Sequence, residues 1–108
     1  MISLRRNEEA LEVLDRGLKI DSNDYFILAY KGVALVNLGK YDDALPYLNT
    51  SLEINPNQKE IWTIKGFALT KLGRYKEAIE SFNKAIEIDP GYEMAIHNKE
   101  LALKESQT

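Results

Sequence analysis

The residues that could carry out acid–base or metal chemistry are few, and their spacing does not favour it. His97 is the only histidine, and the sequence contains no cysteine. Catalysis by a histidine needs a second group that orients it, and one histidine cannot build a transition-metal site. The acidic pairs Glu8-Glu9 and Asp42-Asp43 stand where helices are expected to begin, and carboxylates there complement the helix dipole and face water. We therefore expect no enzyme activity, no cofactor and no metal site.

The charge of the chain excludes further classes of function. Its 108 residues carry a formal net charge of -3. A nucleic-acid-binding protein needs a basic face that displaces counterions from phosphates, and the cluster Arg5-Arg6 is too small to provide one. The same excess of acidic residues disfavours binding to an anionic membrane surface. The first residues lack the apolar run of a signal peptide, and no stretch approaches the roughly 20 apolar residues of a membrane span. We expect a cytoplasmic protein with no nucleic-acid or membrane partner.

A repeat of 34 residues organises the chain. Residues 25–58 align with residues 59–92 without a gap, and 13 of the 34 positions are identical. The recurring residues are Ile27, Lys31, Gly32, Ala34, Leu35, Leu38, Gly39, Tyr41, Ala44, Asn49, Glu53, Ile54 and Pro56. The same register continues into residues 7–24 and 93–108. A fixed period of this length is typical of solenoid proteins.

Each period is predicted to form two helices. Apolar residues recur at helical spacing on both sides of a Gly39-Lys40 break, and Asn55-Pro56 ends the second helix. Six helices are expected at about residues 7–20, 24–38, 42–54, 58–72, 75–88 and 91–105. Asn57 and Glu60 have the spacing of a capping box for the fourth helix. Pro46 lies near the start of its helix, where we expect a late beginning or a slight bend.

Small residues at some repeat positions and large residues at others suggest tight helix packing. Gly32 and Gly66 fall in mid-helix, where glycine costs on the order of 1 kcal/mol relative to alanine. Close approach of a partner helix would offset that cost, and Ala44 and Ala78 are small in the same way on the second helices. The large residues expected to fill the space between hairpins are Tyr41, Trp62, Tyr75 and Phe82.

These residues together resemble the tetratricopeptide repeat. The second full unit carries the family pattern in Trp62, Gly66, Leu69, Gly73, Tyr75, Ala78, Phe82, Ala85 and Pro90, and the first unit matches through Gly32, Tyr41, Ala44 and Pro56. Leu28, Leu48 and Ser51 replace the tryptophan, the phenylalanine and an alanine in the first unit. Other helical-hairpin repeats, such as Sel1-like units and pentatricopeptide RNA binders, fit this set less well.

The resemblance implies an all-α fold, a right-handed superhelix of antiparallel hairpins in one domain over residues 1–108. That domain would comprise a half repeat (7–24), two repeats (25–58 and 59–92) and a C-terminal capping helix (93–108). Its first helices would line a concave groove, in which family members mostly bind peptides or partner proteins. The side chains expected to line this groove are Phe26, Ala29, Val33, Thr63, Phe67, Met94 and His97. An apolar strip of this kind often marks a binding surface, but the same residues could merely complete the packing between neighbouring helices.

Two groove chemistries known in the family find little support. Some members clamp a C-terminal carboxylate with lysine, arginine and asparagine, and Ala29 and Val33 stand where the first lysine and asparagine would be needed. Others carry an inner ladder of asparagines, of which Asn98 is the one rung present. Lys31 and Lys65 occupy a position that the family often gives to leucine. We expect them to bury their stems and keep their ammonium groups in water.

The register predicts unpaired helices at both ends. Helix 7–20 would lack its own first helix, so that Leu11, Leu14 and Leu18 would be half covered. We expect either a fragment of a longer array or self-association, by head-to-tail contact or by a swapped dimer. The alternative to peptide binding is therefore a structural role in which these faces meet other copies of the chain.

Overall fold

The computed structural model describes residues 4–20 and 23–108, and side chains within residues 8–19 and 23–108. These residues form six helices: α1 (Leu4–Ile20), α2 (Tyr25–Asn37), α3 (Tyr41–Ile54), α4 (Lys59–Lys71), α5 (Tyr75–Ile88) and α6 (Glu93–Ser106). The all-α prediction is confirmed, and each predicted helix lies within three residues of its observed position. The side chains of Arg5 and Arg6 fall outside the described residues. No helix in the described part of the chain is long and apolar enough to cross a membrane.

The helices group into two compact units, which divide between Pro56 and Asn57. Unit 1 covers Met1–Pro56, and unit 2 covers Asn57–Thr108. In unit 1, α2 packs against both α1 and α3. In unit 2, α4 packs against α5 and α6, and α5 also packs against α6. The first helix of each repeat, α2 or α4, is therefore covered from two sides within its own unit.

Glycine residues allow the tight turn inside each repeat. Gly39 and Gly73 have φ values of +78° and +76°, a conformation that side chains with a Cβ rarely adopt. In the first turn, Gly39 N–H donates to the Val36 carbonyl, and Lys40 N–H donates to the Leu35 carbonyl, both over 2.9 Å. This pair of bonds is the Schellman motif, which satisfies carbonyls left open at a helix end. The repeat in unit 2 ends its first helix in the same way.

The two mid-helix glycines lie where helices approach closely, as the sequence predicts. A Cβ on Gly32 would stand 2.5 Å from Leu48 Cδ2, and a Cβ on Gly66 would stand 2.5 Å from Phe82 Cε1. Real Cβ atoms do not tolerate such distances, so each glycine forms a socket for one large side chain of the following helix. The small residues Ala44 and Ala78 are fully buried on those helices.

The aromatic residues of the repeat are not equally buried. Phe82 is fully buried, together with Leu48 at the equivalent position of the first repeat. Trp62, Tyr41 and Tyr75 are only half-buried. That these three residues fill the space between hairpins stays a prediction.

The late beginning of α3 and the capping box of α4 are not observed, while a slight bend at Pro46 stays a prediction. The helix α3 begins at Tyr41, at the same repeat position as α5, so Pro46 does not delay it. Proline has no backbone N–H, so the Asp42 carbonyl receives no helix hydrogen bond from residue 46. Asp42 lies on the exposed side of α3, where water can donate that hydrogen bond instead. The helix α4 begins at Lys59, which places Gln58 rather than Asn57 at the N-cap, and the Gln58 side chain does not cap the helix.

The packing of α1 agrees with the prediction of a half-covered helix. Leu11, Leu14 and Leu18 are half-buried, and Val13 is exposed. The contact with α2 is tight at one point, since a Cβ on Gly17 would stand 2.8 Å from Ile27 Cδ1. One side of α1 is thus fixed against α2, while its Ala10–Val13–Leu14 side remains open to solvent.

Candidate functional site

An aromatic strip lies exposed along α2 in unit 1. Asp24 caps the helix by accepting hydrogen bonds from Phe26 N–H (3.0 Å) and Ile27 N–H (3.3 Å), which places Phe26 in the first turn. Phe26 and Tyr30 are one helical turn apart and are 55% and 58% exposed. Their ring centroids lie 6.5 Å apart with an interplanar angle of 19°. Tyr25 stacks on Phe26 at 4.5 Å and extends the aromatic surface.

The strip continues into an open cleft between α1 and α2. The cleft has a volume of about 430 Å³. Its walls are mainly apolar, and the lining residues are Ala10, Val13, Leu14, Tyr30, Val33, Ala34 and Asn37. Half-buried Val33 therefore belongs to this apolar surface, while its place in a groove lined by the first helices stays a prediction. The Tyr30 hydroxyl and the Asn37 amide are the polar groups at its edge.

Two residues expected on the open face are in fact buried. Ala29 is 3% exposed and Thr63 is 2% exposed. The reason is that α2 and α4 each pack against two helices of their own unit, so their buried stripe is wider than the stripe of a helix with one partner. The Thr63 hydroxyl donates to the Lys59 carbonyl over 2.8 Å and is therefore satisfied inside its own helix. These two residues are part of the packed interior.

Unit 2 exposes a second set of predicted residues. Phe67 on α4 is 37% exposed, and the Lys71 ammonium group lies 5.4 Å from its ring centroid. Met94 and His97 are exposed on α6, and Leu101 is exposed one turn beyond His97. The Tyr92 hydroxyl lies 3.7 Å from Met94 Sδ. An aromatic ring, a thioether and a leucine are groups that bind apolar side chains of a partner.

A family comparison identifies the class to which this architecture belongs. A family model described as "Tetratricopeptide repeat" matches residues 31–93, which is more than half of the chain. The chain belongs to the tetratricopeptide repeat family. No curated protein sequence matches the chain significantly.

Solved structures of tetratricopeptide repeat domains are similar to this chain. The second such domain of human RPAP3, in complex with the HSP70 peptide SGPTIEEVD, is 23% identical with a TM-score of 0.85, over 90% of this chain and 81% of that chain. The first domain of Spaghetti (RPAP3), bound to the HSP90 peptide SRMEEVD, is 17% identical with a TM-score of 0.91, over 95% and 82%. YrrB, "a TPR protein with an unusual peptide-binding site", is 28% identical with a TM-score of 0.82, and this chain spans half of it.

The lysine of the first tetratricopeptide repeat does not line the aromatic strip. The Lys31 side chain is only 16% exposed and pairs with the Asp15 carboxylate of α1. Its ammonium group lies 4.4 Å from the centroid of the Tyr47 ring on α3. Burial lowers the pKa of Lys31, but the hydrogen bonds with Asp15 and Tyr47 outweigh it and raise the pKa overall. Lys31 thus joins the three helices of unit 1: its stem is largely covered, and its ammonium group forms an exposed ion pair with Asp15.

Sequence reasoning missed Tyr30 as a surface residue. Its position four residues after Phe26 puts both rings on one face of α2. That spacing is the signal that could have identified it. Among the residues that the structure describes, no group of three histidine, cysteine, aspartate or glutamate side chains could hold a metal ion.

Proposed function

We propose that this tetratricopeptide repeat protein is a protein-interaction module that binds an extended or helical peptide on the exposed apolar faces of its first helices. The observation that carries the proposal is the strip formed by Phe26 and Tyr30 beside the cleft at Val33. Both rings are more than half exposed although they are stacked and held in position by a capped helix. Exposed aromatic residues on a rigid element are the groups that most often dominate the binding energy of protein interfaces.

The chemistry of the strip favours an apolar ligand over an acidic tail. The peptides in the complexes of RPAP3 and Spaghetti end in Glu-Glu-Val-Asp and carry several carboxylates. In this chain, buried Ala29 and half-buried Val33 offer no cation on that part of α2, and the cation of Lys31 is engaged by Asp15. A ligand with leucine, methionine or aromatic side chains would instead gain from stacking and from burial of apolar area.

The proposal assigns no catalytic role to the chain. His97 is exposed on α6. Asp42 and Asp43 lie in the first turn of α3, as expected for carboxylates that complement the helix dipole. For Glu8 and Glu9 that expectation is wrong, because α1 begins at Leu4 and has no acidic residue in its first turn. A cytoplasmic location stays a prediction from the sequence.

The experiment begins with selection of binding peptides from a displayed peptide library against the full chain. Variants Phe26→Glu and Phe67→Glu are expected to weaken the best peptide at least about tenfold, because a charge replaces an apolar contact. Matched controls place the same charge on the second helices. The controls are Ile88→Glu and Ile54→Glu. Ile88 is 37% exposed like Phe67, and Ile54 occupies the equivalent position in unit 1. Circular dichroism checks that all four variants remain helical.

Two results would contradict the proposal. Equal binding by both first-helix variants and the wild type would remove the exposed faces of α2 and α4 from consideration. A loss of binding that is as large for Ile54→Glu and Ile88→Glu would show that the library peptides bind the second helices instead.

Self-assembly is a second candidate, favoured by the exposed side of α1. Val13 is exposed, and Leu11, Leu14 and Leu18 are only half-buried, which is unusual for four apolar residues of one helix. Copies of the chain could cover this side by a head-to-tail contact or by swapping helices. Light scattering over a concentration series tests this role, and a monomer at the highest concentration would exclude it.

A further inference from the structure

The exposed side chains of α4 in unit 2 lie along one line of the helix. The structure describes all 13 residues of α4, and the exposed ones are Glu60, Phe67 and Lys71. Successive residues of an α-helix are rotated by about 100°, so positions seven and eleven residues after Glu60 fall within about 20° of it. These three residues, the α4 stripe, therefore present an acidic group, an aromatic ring and a basic group in this order.

Both charged ends of the α4 stripe can interact with a ligand. Among the residues that the structure describes, neither Glu60 nor Lys71 forms an ion pair with another side chain. Lys59 attracts Glu60 electrostatically, but the Lys59 ammonium group is hydrogen-bonded to the Asp89 carboxylate over 2.8 Å. The Lys71 ammonium group lies 5.4 Å from the centroid of the Phe67 ring. A charged ligand can therefore approach either end without breaking an ion pair of the chain.

The dipole of α4 does not by itself require these two charges. Glu60 in the first turn and Lys71 in the last turn have the signs that favour the dipole. The equivalent helix of the first repeat, α2, carries Phe26 and Asn37 at these positions, with no acidic residue in its first turn and no basic residue in its last. It forms a helix of the same length, so the charges of the α4 stripe are open to another role.

We infer that the α4 stripe binds an extended peptide segment that carries a basic residue and an acidic residue on opposite sides of a large apolar residue. The basic residue pairs with Glu60, the apolar residue covers Phe67 and the acidic residue pairs with Lys71. Complementary charges across an interface select the correct partner and its register. The inference rests on the proposed function and specifies the chemistry of the ligand at unit 2.

The rise of the helix sets the spacing of these groups on the ligand. At about 1.5 Å per residue, Phe67 lies about 10 Å along α4 from Glu60, and Lys71 lies about 6 Å further on. An extended peptide advances about 3.3 Å per residue. The basic residue is therefore expected about three residues from the apolar one, and the acidic residue about two residues away on the other side. Either direction of the peptide chain satisfies this spacing.

The other first helices keep the apolar centre of the stripe but not its two opposite charges. Val33 of α2 and Leu101 of α6 occupy the repeat position of Phe67. At the position of Lys71, α6 carries the acidic Glu105, and α2 has no charge at either end of the stripe. Selection for opposite charges on the ligand is therefore a property of α4 among the three first helices that the structure describes.

The test selects a displayed library of random peptides against the full chain in three forms. The wild type is expected to enrich peptides with one basic and one acidic residue on the two sides of an apolar residue. Glu60→Lys makes both ends of the stripe basic, so its peptides should be more acidic by about two charges. Lys71→Glu makes both ends acidic, so its peptides should be more basic by about two charges. Single substitutions are used because a ligand could accommodate the double exchange by reversing its direction.

Matched controls make the same changes of net charge elsewhere in unit 2. Lys76→Glu and Glu80→Lys alter exposed residues of α5 and should select the same peptides as the wild type. The best wild-type peptide, made synthetically, should bind Glu60→Lys and Lys71→Glu at least about tenfold more weakly than it binds the controls. Circular dichroism and urea denaturation check that all variants are folded.

Neutral variants keep the test decisive if a charge reversal destabilises α4. Glu60→Gln should lose only the preference for the basic residue, and Lys71→Gln only the preference for the acidic one. A role confined to the helix dipole would lower stability in these variants and leave the selected peptides unchanged.

Two results would overturn the inference while the proposed function survives. The first is selection of the same charges by the wild type and all stripe variants, although Phe67→Glu weakens the selected peptides. The second is an equal shift in peptide charge with Lys76→Glu or Glu80→Lys, which would assign the preference to the net charge of the chain. If Phe67→Glu leaves binding unchanged, the proposed site on α4 itself is wrong, and the inference is wrong with it.

Discussion

Leu48 fills the space that a side chain on Gly32 would need. The Leu48 Cδ2 atom lies 2.5 Å from the point where a Cβ on Gly32 would stand, and Phe82 Cε1 has the same distance from the corresponding point at Gly66. Each pair sets the distance between the first and second helices of its repeat. The repeat therefore uses a residue with poor helix propensity at the place where packing demands it.

We expect Gly32→Ala and Gly66→Ala to lower the free energy of unfolding. Helix propensity alone would stabilise both variants by about 1 kcal/mol. The added methyl group instead overlaps Leu48 or Phe82, and overpacking of this kind typically costs about 1–3 kcal/mol. Chemical denaturation followed by circular dichroism measures the change. In a Phe82→Ala background, Gly66→Ala should lose its destabilising effect, and a stabilising Gly66→Ala in the wild type would contradict this account.

Phe82→Ala is expected to destabilise the chain more than Trp62→Ala. Phe82 is fully buried, and truncation of such a residue costs roughly 3–5 kcal/mol. Trp62 is half-buried, so part of its side chain is already in contact with water, and a smaller fraction of its apolar area is lost on truncation. Denaturation of both variants by urea gives the comparison. An equal or larger loss for Trp62→Ala would show that the family's tryptophan position, rather than the glycine socket, dominates the packing of unit 2.

The sequence predicts the helices of this protein well because the repeat supplies the same pattern more than once. Gly39 and Pro56 recur with the 34-residue period, so the turns and helix ends could be located from them. The glycine sockets at Gly32 and Gly66 could be predicted for a physical reason, since a mid-helix glycine needs some compensation.

The features that could not be predicted depend on how many neighbours a helix has. Ala29 and Thr63 are buried because their helices pack on two sides, and apolar periodicity does not report the width of a buried stripe. The pairing of Lys31 with Asp15 joins residues of different helices, with Tyr47 of a third beside them. A lysine in an apolar register shows that its stem can be buried, but the sequence does not identify its partner.

The Asp89 carboxyl group is expected to have a pKa below its ordinary value of 3.8. The main cause is the hydrogen bond from the Lys59 ammonium group, which lies 2.8 Å from Asp89 Oδ2. Because the pKa is lower in the folded state, the pair stabilises the fold above pH 3.8, and this contribution is lost as the pH falls through the folded-state pKa. An NMR titration of the Asp89 carboxyl carbon measures the shift.

Lys59→Met should raise the pKa of Asp89, because it removes the main interaction that favours the charged carboxylate. Lys84→Met is the matched control, since Lys84 faces Glu87 at 3.9 Å and not Asp89. A pKa of Asp89 that is the same in the wild type and in Lys59→Met would show that the ion pair is not formed in solution.

Pro46→Ala is expected to stabilise unit 1. Pro46 lies inside α3 and is exposed, and the equivalent residue of α5 is Glu80. The substitution restores an N–H that can donate to the Asp42 carbonyl and removes the clash of the proline ring with the preceding turn. The missing N–H and the clash together cost about 3 kcal/mol in a helix interior. The greater freedom of alanine in the unfolded chain offsets part of this gain. Thermal or urea denaturation of the variant gives the net change.

The reverse substitution in unit 2 completes the test, because it introduces the same strain at the same repeat position. Glu80→Pro should destabilise the chain by more than Pro46→Ala stabilises it, since α5 has not adapted to a proline, while Glu80→Ala serves as the control for loss of the carboxylate. If Pro46→Ala lowers stability instead, the proline ring contributes packing that outweighs the lost hydrogen bond. The ring borders the cavity that Leu11 and Tyr47 also line, so the loss would then arise at that contact.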